Sequence, residues 1–203
     1  NVLTGFKFIG EQIKLLHDTG KKKFVFGYEE SYGYLSGTHA RDKDAVVSSM
    51  LIAEVYTWYK SRGMDLYQGL MELFKKYGYV REGTDSFTLK GKEGLEKIND
   101  AMESLRNMDI KKIGDKDISI ISDYKKQTRK NLVTSEESKI SLPVSNVLHY
   151  TMSPGFWFCV RPSGTEPKIK IYYGVTSNSL EGSERELDIL RKDVLSIIKP
   201  LLD

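Results

Sequence analysis

The stretch Arg161-Pro162-Ser163-Gly164-Thr165-Glu166-Pro167 lies between two apolar, β-like runs, Phe156 to Val160 and Ile169 to Val175. Its two prolines fix φ at their own positions and bias the residues before them toward extended backbone. With so short a connection the flanking runs must be antiparallel neighbours in one sheet. The loop's chemistry is that of an anion cradle: a planar guanidinium fork, two hydroxyls and a glycine that exposes backbone N–H groups. A phosphate ester is the first ligand to consider.

Around this loop the last third of the chain reads as an α+β domain. Val147 to Met152 is a third β-like run, joined to the next by the turn-forming Ser153-Pro154-Gly155. Leu187, Leu190, Val194, Ile197 and Leu201 then predict a closing helix that covers one sheet face. Cys159, inside a strand, reads as a small buried residue, because no histidine stands in a readable partnership with it. The histidines at 17, 39 and 149 have no ligand spacing, and no dense aspartate cluster offers a magnesium site.

The first third begins as α/β. Phe6, Ile9, Ile13 and Leu16 share one side of a predicted helix over about 7–18, with Thr4 as its cap and Gly20 as its end. Phe24-Val25-Phe26 fits a short buried strand. Gly27-Tyr28-Glu29-Glu30-Ser31-Tyr32-Gly33-Tyr34 is too polar and glycine-rich to continue it, and a loop at the carboxyl end of such a strand is where α/β sheets bind ligands. Its paired carboxylates, serine and aromatics suit sugar hydroxyls; equally, they suit a solvated turn. A helix over 44–60, capped by Asp44, leaves little polar face and reads as buried. Arg41 and Lys43 stand just before it, as anion-attracting charges or as ordinary solvated ones.

In the middle, Leu66, Leu70, Leu73, Phe74 and Tyr77 mark an amphipathic helix stopped by Gly78. Residues 79–85, with their charges and Gly83, read as the interdomain boundary to within several residues, which divides the chain into residues 1–80 and 81–203. Leu95, Ile98, Met102 and Leu105 line a further helix, and residues 110–113 and 118–121 are β-like. The basic stretch from Asp123 to Lys130 reads as a loop or strand edge.

Composition sets the outer limits. The 203 residues, 39% hydrophobic and 29% charged, suffice for one or two domains with real cores. A formal charge of +3, spread along the chain, argues against a nucleic-acid face. Nothing approaches the roughly 20 apolar residues that span a bilayer. One cysteine excludes an internal disulfide and points to a reducing cytoplasm.

Three segments, in order, resemble the α-D-phosphohexomutases, most closely their phosphoglucomutase members. Thr4-Gly5-Phe6-Lys7-Phe8-Ile9 is similar to the opening of that family's third-domain helix. Glu29-Glu30-Ser31-Tyr32-Gly33, with His39, Arg41 and Lys43-Asp44, resembles its sugar-specificity loop. Residues 161–167 resemble the phosphate loop of its fourth domain. The resemblance implies an incomplete α/β/α third domain followed by a fourth domain with a small antiparallel sheet packed by helices. It implies that Glu29 and Ser31 hold sugar hydroxyls, and that Lys43, Arg161, Ser163, Gly164 and Thr165 grip a phosphate. The family's serine loop and its aspartate-rich metal loop are absent from these residues, so no catalytic or metal-binding residue is expected here. Mg2+ and glucose 1,6-bisphosphate would serve the full-length enzyme, and the missing N-terminal domains are this chain's expected partners, besides the phosphosugar itself. Self-association through an exposed third-domain edge is a further expectation. A mannose or pentose phosphate in place of glucose phosphate, or a non-catalytic phospho-ligand or protein-binding module, are the other readings.

Overall fold

The computed structural model describes residues 2–29, 32–152, 155–164 and 166–203. It divides into two compact units, Asn1–Leu73 and Phe74–Asp203.

In the first unit, helix α1 (Phe6–Thr19) buries Phe6, Gly10 and Ile13, and Phe6 and Ile13 form a small core with Leu35 and the half-buried Ile9 and Phe24. Gly20 ends the helix in the left-handed region, its N–H donating to the Leu16 carbonyl. The helix begins one residue after Gly5, so Thr4 lies outside the cap position assigned to it from the sequence. Strands β1 (Phe26–Glu29) and β2 (Gly33–Ser36) form an antiparallel hairpin. This corrects the sequence reading in two ways. Residues 24 and 25 are not strand, with Val25 exposed, and Gly27-Tyr28-Glu29 is strand rather than loop. The physical reason is the pairing: β1 has β2 as its strand partner, so its backbone hydrogen bonds determine its conformation, and one face stays in water.

Helix α2 (Ala45–Ser61) starts where expected, with the Asp44 carboxylate accepting from the N–H groups of Val46 and Val47 at 2.9 and 3.0 Å. It is not buried. None of its residues is inaccessible, and Val46, Met50, Ile52 and Trp58 are exposed. It packs on β2, and a helix that is apolar all round cannot hide every side on one hairpin. Helix α3 (Leu66–Tyr77) follows and ends at Gly78.

The second unit is an antiparallel sheet of eight strands with two helices on one face. Its strands are β3 (Tyr79–Thr88), β4 (Lys112–Ile113), β5 (Lys116–Asp123), β6 (Thr128–Asn131), β7 (Glu137–Lys139), β8 (Leu148–Met152), β9 (Trp157–Pro162) and β10 (Lys168–Ser177). They are ordered β3-β10-β9-β8-β5-β6-β7, with β4 paired to β5. The stretch read as the boundary, 79–85, is the first part of an edge strand of this unit. Its half-buried and exposed positions alternate, a period that a single covered face imposes.

Helices α4 (Gly91–Asn107) and α5 (Leu180–Ile198) supply Ile98, Met102, Leu105, Leu190, Val194 and Ile198 to the core. Facing them are Ile169, Ile171, Tyr173 and Val175 of β10, Phe158 and Val160 of β9, and Leu148 and Tyr150 of β8. Burying each such side chain contributes about 1.5–3 kcal/mol. Leu95, expected on this stripe, is exposed; the small Gly94 and Ala101 lie in the buried face instead. Bidentate contact between Arg191 and Asp85 ties α5 to β3. Strand alternation also corrects Cys159: with Phe158 and Val160 inward, it points to the opposite face and is half-buried.

Candidate functional site

In the first unit, the hairpin and the segment that leads into α2 bring three charges together. Glu29 is the last residue of β1, and its carboxylate lies 3.4 Å from the Nζ of Lys43. Lys43 also contacts Asp42 at 3.2 Å and sits 5.4 Å over the centre of the Phe6 ring. The hydrogen bond that Lys43 donates to Asp42, and then the one it donates to Glu29, hold its ammonium above its ordinary value, so it stays charged. Asp42 is held below the usual carboxylate range by the Lys43 backbone N–H. His39 Nε2 lies 2.9 Å from the capping Asp44, whose carboxyl is held low by the Val47 N–H and by His39. Asp44 accepts helix donors while its own N–H donates to the Tyr34 carbonyl at 2.8 Å. Asp44 therefore anchors the end of the basic segment to both β2 and α2.

In the second unit, Arg161 and Pro162 end β9, Ser163 and Gly164 follow, and Lys168 opens β10. Backbone bonds shape the turn. Ser163 N–H donates to the Lys168 carbonyl at 2.7 Å, Lys168 N–H to the Glu166 carbonyl at 2.7 Å, and Leu89 N–H to the Pro167 carbonyl at 2.9 Å. The Ser163 hydroxyl accepts from Glu166 N–H at 3.3 Å, and Glu166 pairs with Lys168 at 3.0 Å. A narrow antiparallel turn that presents a guanidinium, a hydroxyl and backbone groups together is able to hold a tetrahedral anion.

Of the seven residues singled out from the sequence, Glu29 and Lys43 meet in the first unit, and Arg161, Ser163 and Gly164 lie together in the second. Ser31 and Thr165 lie outside the described residues. The geometry adds two residues to which the sequence reading had given no role. Lys170 is the register partner of Arg161, so both side chains leave the same sheet face. Gly33 pairs with Glu29 and lies under the Lys43 stem. The alternation in Lys168-Ile169-Lys170 was the available signal for the first; nothing local signalled the second. On the face that carries Arg161, His149 stacks on Trp157 with ring centres 5.4 Å apart, and burial together with the nearby Arg129 lowers the His149 pKa to about 4. Among the described residues no group of three His, Cys, Asp or Glu side chains is placed to hold a metal ion.

Comparison with known proteins agrees with this division. Residues 1–77 match the family model of the phosphoglucomutase/phosphomannomutase alpha/beta/alpha domain III, and residues 96–186 match that of the phosphoglucomutase/phosphomannomutase C-terminal domain. A phosphoglucomutase of Staphylococcus haemolyticus is 36% identical over 186 residues, which cover 92% of this chain and 33% of the relative. One of Staphylococcus aureus is 35% identical over 189 residues, 93% of this chain and 34% of the relative. The chain thus spans about a third of the length of the curated relatives it matches. The fold is similar to that of a crystal structure of pp63/parafusin, a phosphoglucomutase from Paramecium, with a TM-score of 0.63 at 17% identity over 97% of this chain and 33% of that one. Two consecutive domain matches, with the charged hairpin in one and the arginine turn in the other, show that this chain belongs to the phosphoglucomutase/phosphomannomutase family and carries its domain III and C-terminal domain segments.

Proposed function

We propose that this chain is the substrate-gripping C-terminal portion of a phosphoglucomutase-type enzyme that interconverts glucose 1-phosphate and glucose 6-phosphate through a phosphoserine and a bisphosphosugar. Residues 1–80 are the C-terminal portion of domain III with its connecting helix, and residues 81–203 are domain IV. The observation that carries the reading is the arginine turn, Arg161 to Lys168, inside the segment that matches the family's C-terminal domain.

In this reading Glu29 and Ser31 take the sugar hydroxyls, since a carboxylate accepts two hydrogen bonds and a serine can donate one. Lys43, Arg161, Ser163, Gly164 and Thr165 take the phosphate remote from the reacting one. Binding at a remote phosphate supplies positioning, which is most of what a protein does for phosphoryl transfer. The serine, the Mg2+ that neutralises charge there, and the turnover of glucose 1,6-bisphosphate belong to N-terminal domains of the same polypeptide. The single cysteine supports a cytoplasmic protein. No helix among the described residues is long and apolar enough to cross a membrane. The open edge of the β1–β2 hairpin is a route for non-native pairing between copies.

The test is a coupled assay of glucose 6-phosphate formation by this chain alone and by the whole polypeptide. Turnover by the whole polypeptide and none by the chain is expected. Turnover by the purified chain, with contaminating enzyme excluded, overturns the division of labour. A higher kcat/KM on mannose 1-phosphate or a pentose phosphate replaces the sugar, and no turnover of any phosphosugar leaves a binding module.

A further inference from the structure

Gly33 is opposite Glu29 in the hairpin register, so any side chain at 33 would share a sheet face with the Glu29 carboxylate. The Lys43 stem occupies that space. A Cβ built at Gly33 would overlap the Cδ of Lys43, fall 2.6 Å from its Cγ and 3.3 Å from Glu29 Oε2. The backbone of Gly33 is not in the positive-φ region, so the turn itself does not demand glycine; the neighbouring side chain does.

The two charges that meet over Gly33 are unequal in exposure. The Glu29 side chain is 9% exposed and that of Lys43 45%, whereas Asp42, the other carboxylate on Lys43, is 76% exposed. Water screens Asp42, so it yields Lys43 at little cost. Glu29 does not: a buried carboxylate that loses its cation needs another donor in its place. A phosphate that draws Lys43 away creates that need, and a sugar O–H donated to Glu29 meets it. Resting on the function proposed above, we propose that Gly33 is a positioning residue that makes Glu29 and Lys43 one recognition unit, binding sugar hydroxyl and phosphate cooperatively. The site then favours the intact phosphosugar over free sugar or inorganic phosphate, because each contact lowers the cost of the other.

Two measurements test this. In the 203-residue chain bearing Gly33→Ala, a crystal structure is expected to show Lys43 Nζ more than about 4 Å from Glu29 Oε2, beyond ion-pair distance; a contact still at 3.4 Å overturns the proposal. In the whole polypeptide, Gly33→Ala is expected to raise KM for glucose 1-phosphate about tenfold, within the 5–150-fold usual for coupled sites, with kcat nearly unchanged. Its effect should not multiply with that of Lys43→Met, and Glu29→Gln with Lys43→Met should likewise fall short of the product of the singles. Multiplying losses or an unchanged KM overturns the coupling. If the wild-type polypeptide turns over no phosphosugar, the function proposed above fails, while the crystal structure still decides whether Gly33 positions the pair.

Discussion

The guanidinium of Arg106, on α4, lies with Nε 3.1 Å from Oδ2 of Asp123, the last residue of β5, and its side chain is only 1% exposed. The same guanidinium bonds Asn146 and contacts Glu103 at 3.1 Å. Asp123 in turn accepts from the N–H groups of Lys125 and Lys126 at 2.9 and 3.2 Å, which fixes the turn into β6. Removing one partner of a buried pair strands the other's charge. Arg106→Met is therefore expected to cost about 3–5 kcal/mol in urea unfolding. Arg106→Met with Asp123→Asn should cost no more than Arg106→Met alone, because the amide oxygen still accepts from the turn and no charge is stranded. An additive loss in the double variant contradicts this account.

His149 makes the second unit sensitive to acid. Its folded pKa of about 4 lies below the ordinary 6.5, so between these values the unfolded chain binds more protons than the folded one. Stability is full above about pH 6.5 and falls as the pH drops toward 4, by on the order of 3 kcal/mol at about 1.4 kcal/mol per pH unit. Urea midpoints at pH 7.5 and pH 5 measure the loss, and His149→Phe, which keeps a ring against Trp157, should flatten most of it.

Trp157 is held from its other side by a missing side chain. Its register partner is Gly174, where a Cβ would lie 2.7 Å from the indole Cζ2 and overlap Nε1 and Cε2. Gly174→Ala should cost about 1–3 kcal/mol, the usual penalty for overfilling a packed site. It should also move the indole off His149, read as a change in tryptophan emission. An unchanged emission spectrum and midpoint would show that the ring has room to step aside.

Arg161→Ala, in the whole polypeptide, is expected to lose about 2–5 kcal/mol in kcat/KM for the phosphosugar, the range for truncating one member of a desolvated charge pair. Its melting temperature should stay close to wild type, since Arg161 contributes at the rim of the sheet and not to the helix-covered core. Wild-type kinetics would remove Arg161 from the site.

Much of this was readable in the residues. The periodic runs in α1, α4 and α5, the Asp44 cap, the Gly20 and Gly78 stops, and the β8-β9-β10 meander all follow from local pattern, because local chemistry decides them. Where burial depends on a distant partner, the pattern misled. Phe24 to Phe26 reads as a buried strand only if a larger sheet covers it, and α2 reads as buried only if something lies on its apolar sides. That residues 79–85 are strand was not legible, because their charges hide an alternation that makes sense once β10 lies alongside. The turn at Arg161, as a candidate anion cradle, was legible from composition; the Lys43 stem lying across Gly33 was not, since their closeness comes from the way α2's entry folds back on the hairpin.

Strand β3 pairs with β10 over ten register positions, from Tyr79 with Ser177 to Thr88 with Lys168, although most of the unit's sequence lies between them. On the ribosome the first strand of this unit thus emerges long before β10, its sheet neighbour among the described residues, and cannot pair along its whole length until residue 177 has left the exit tunnel. The arginine turn immediately precedes that neighbour, so the turn and the closure of this edge of the sheet emerge together, and a nascent chain stopped short of β10 leaves β3 unpaired.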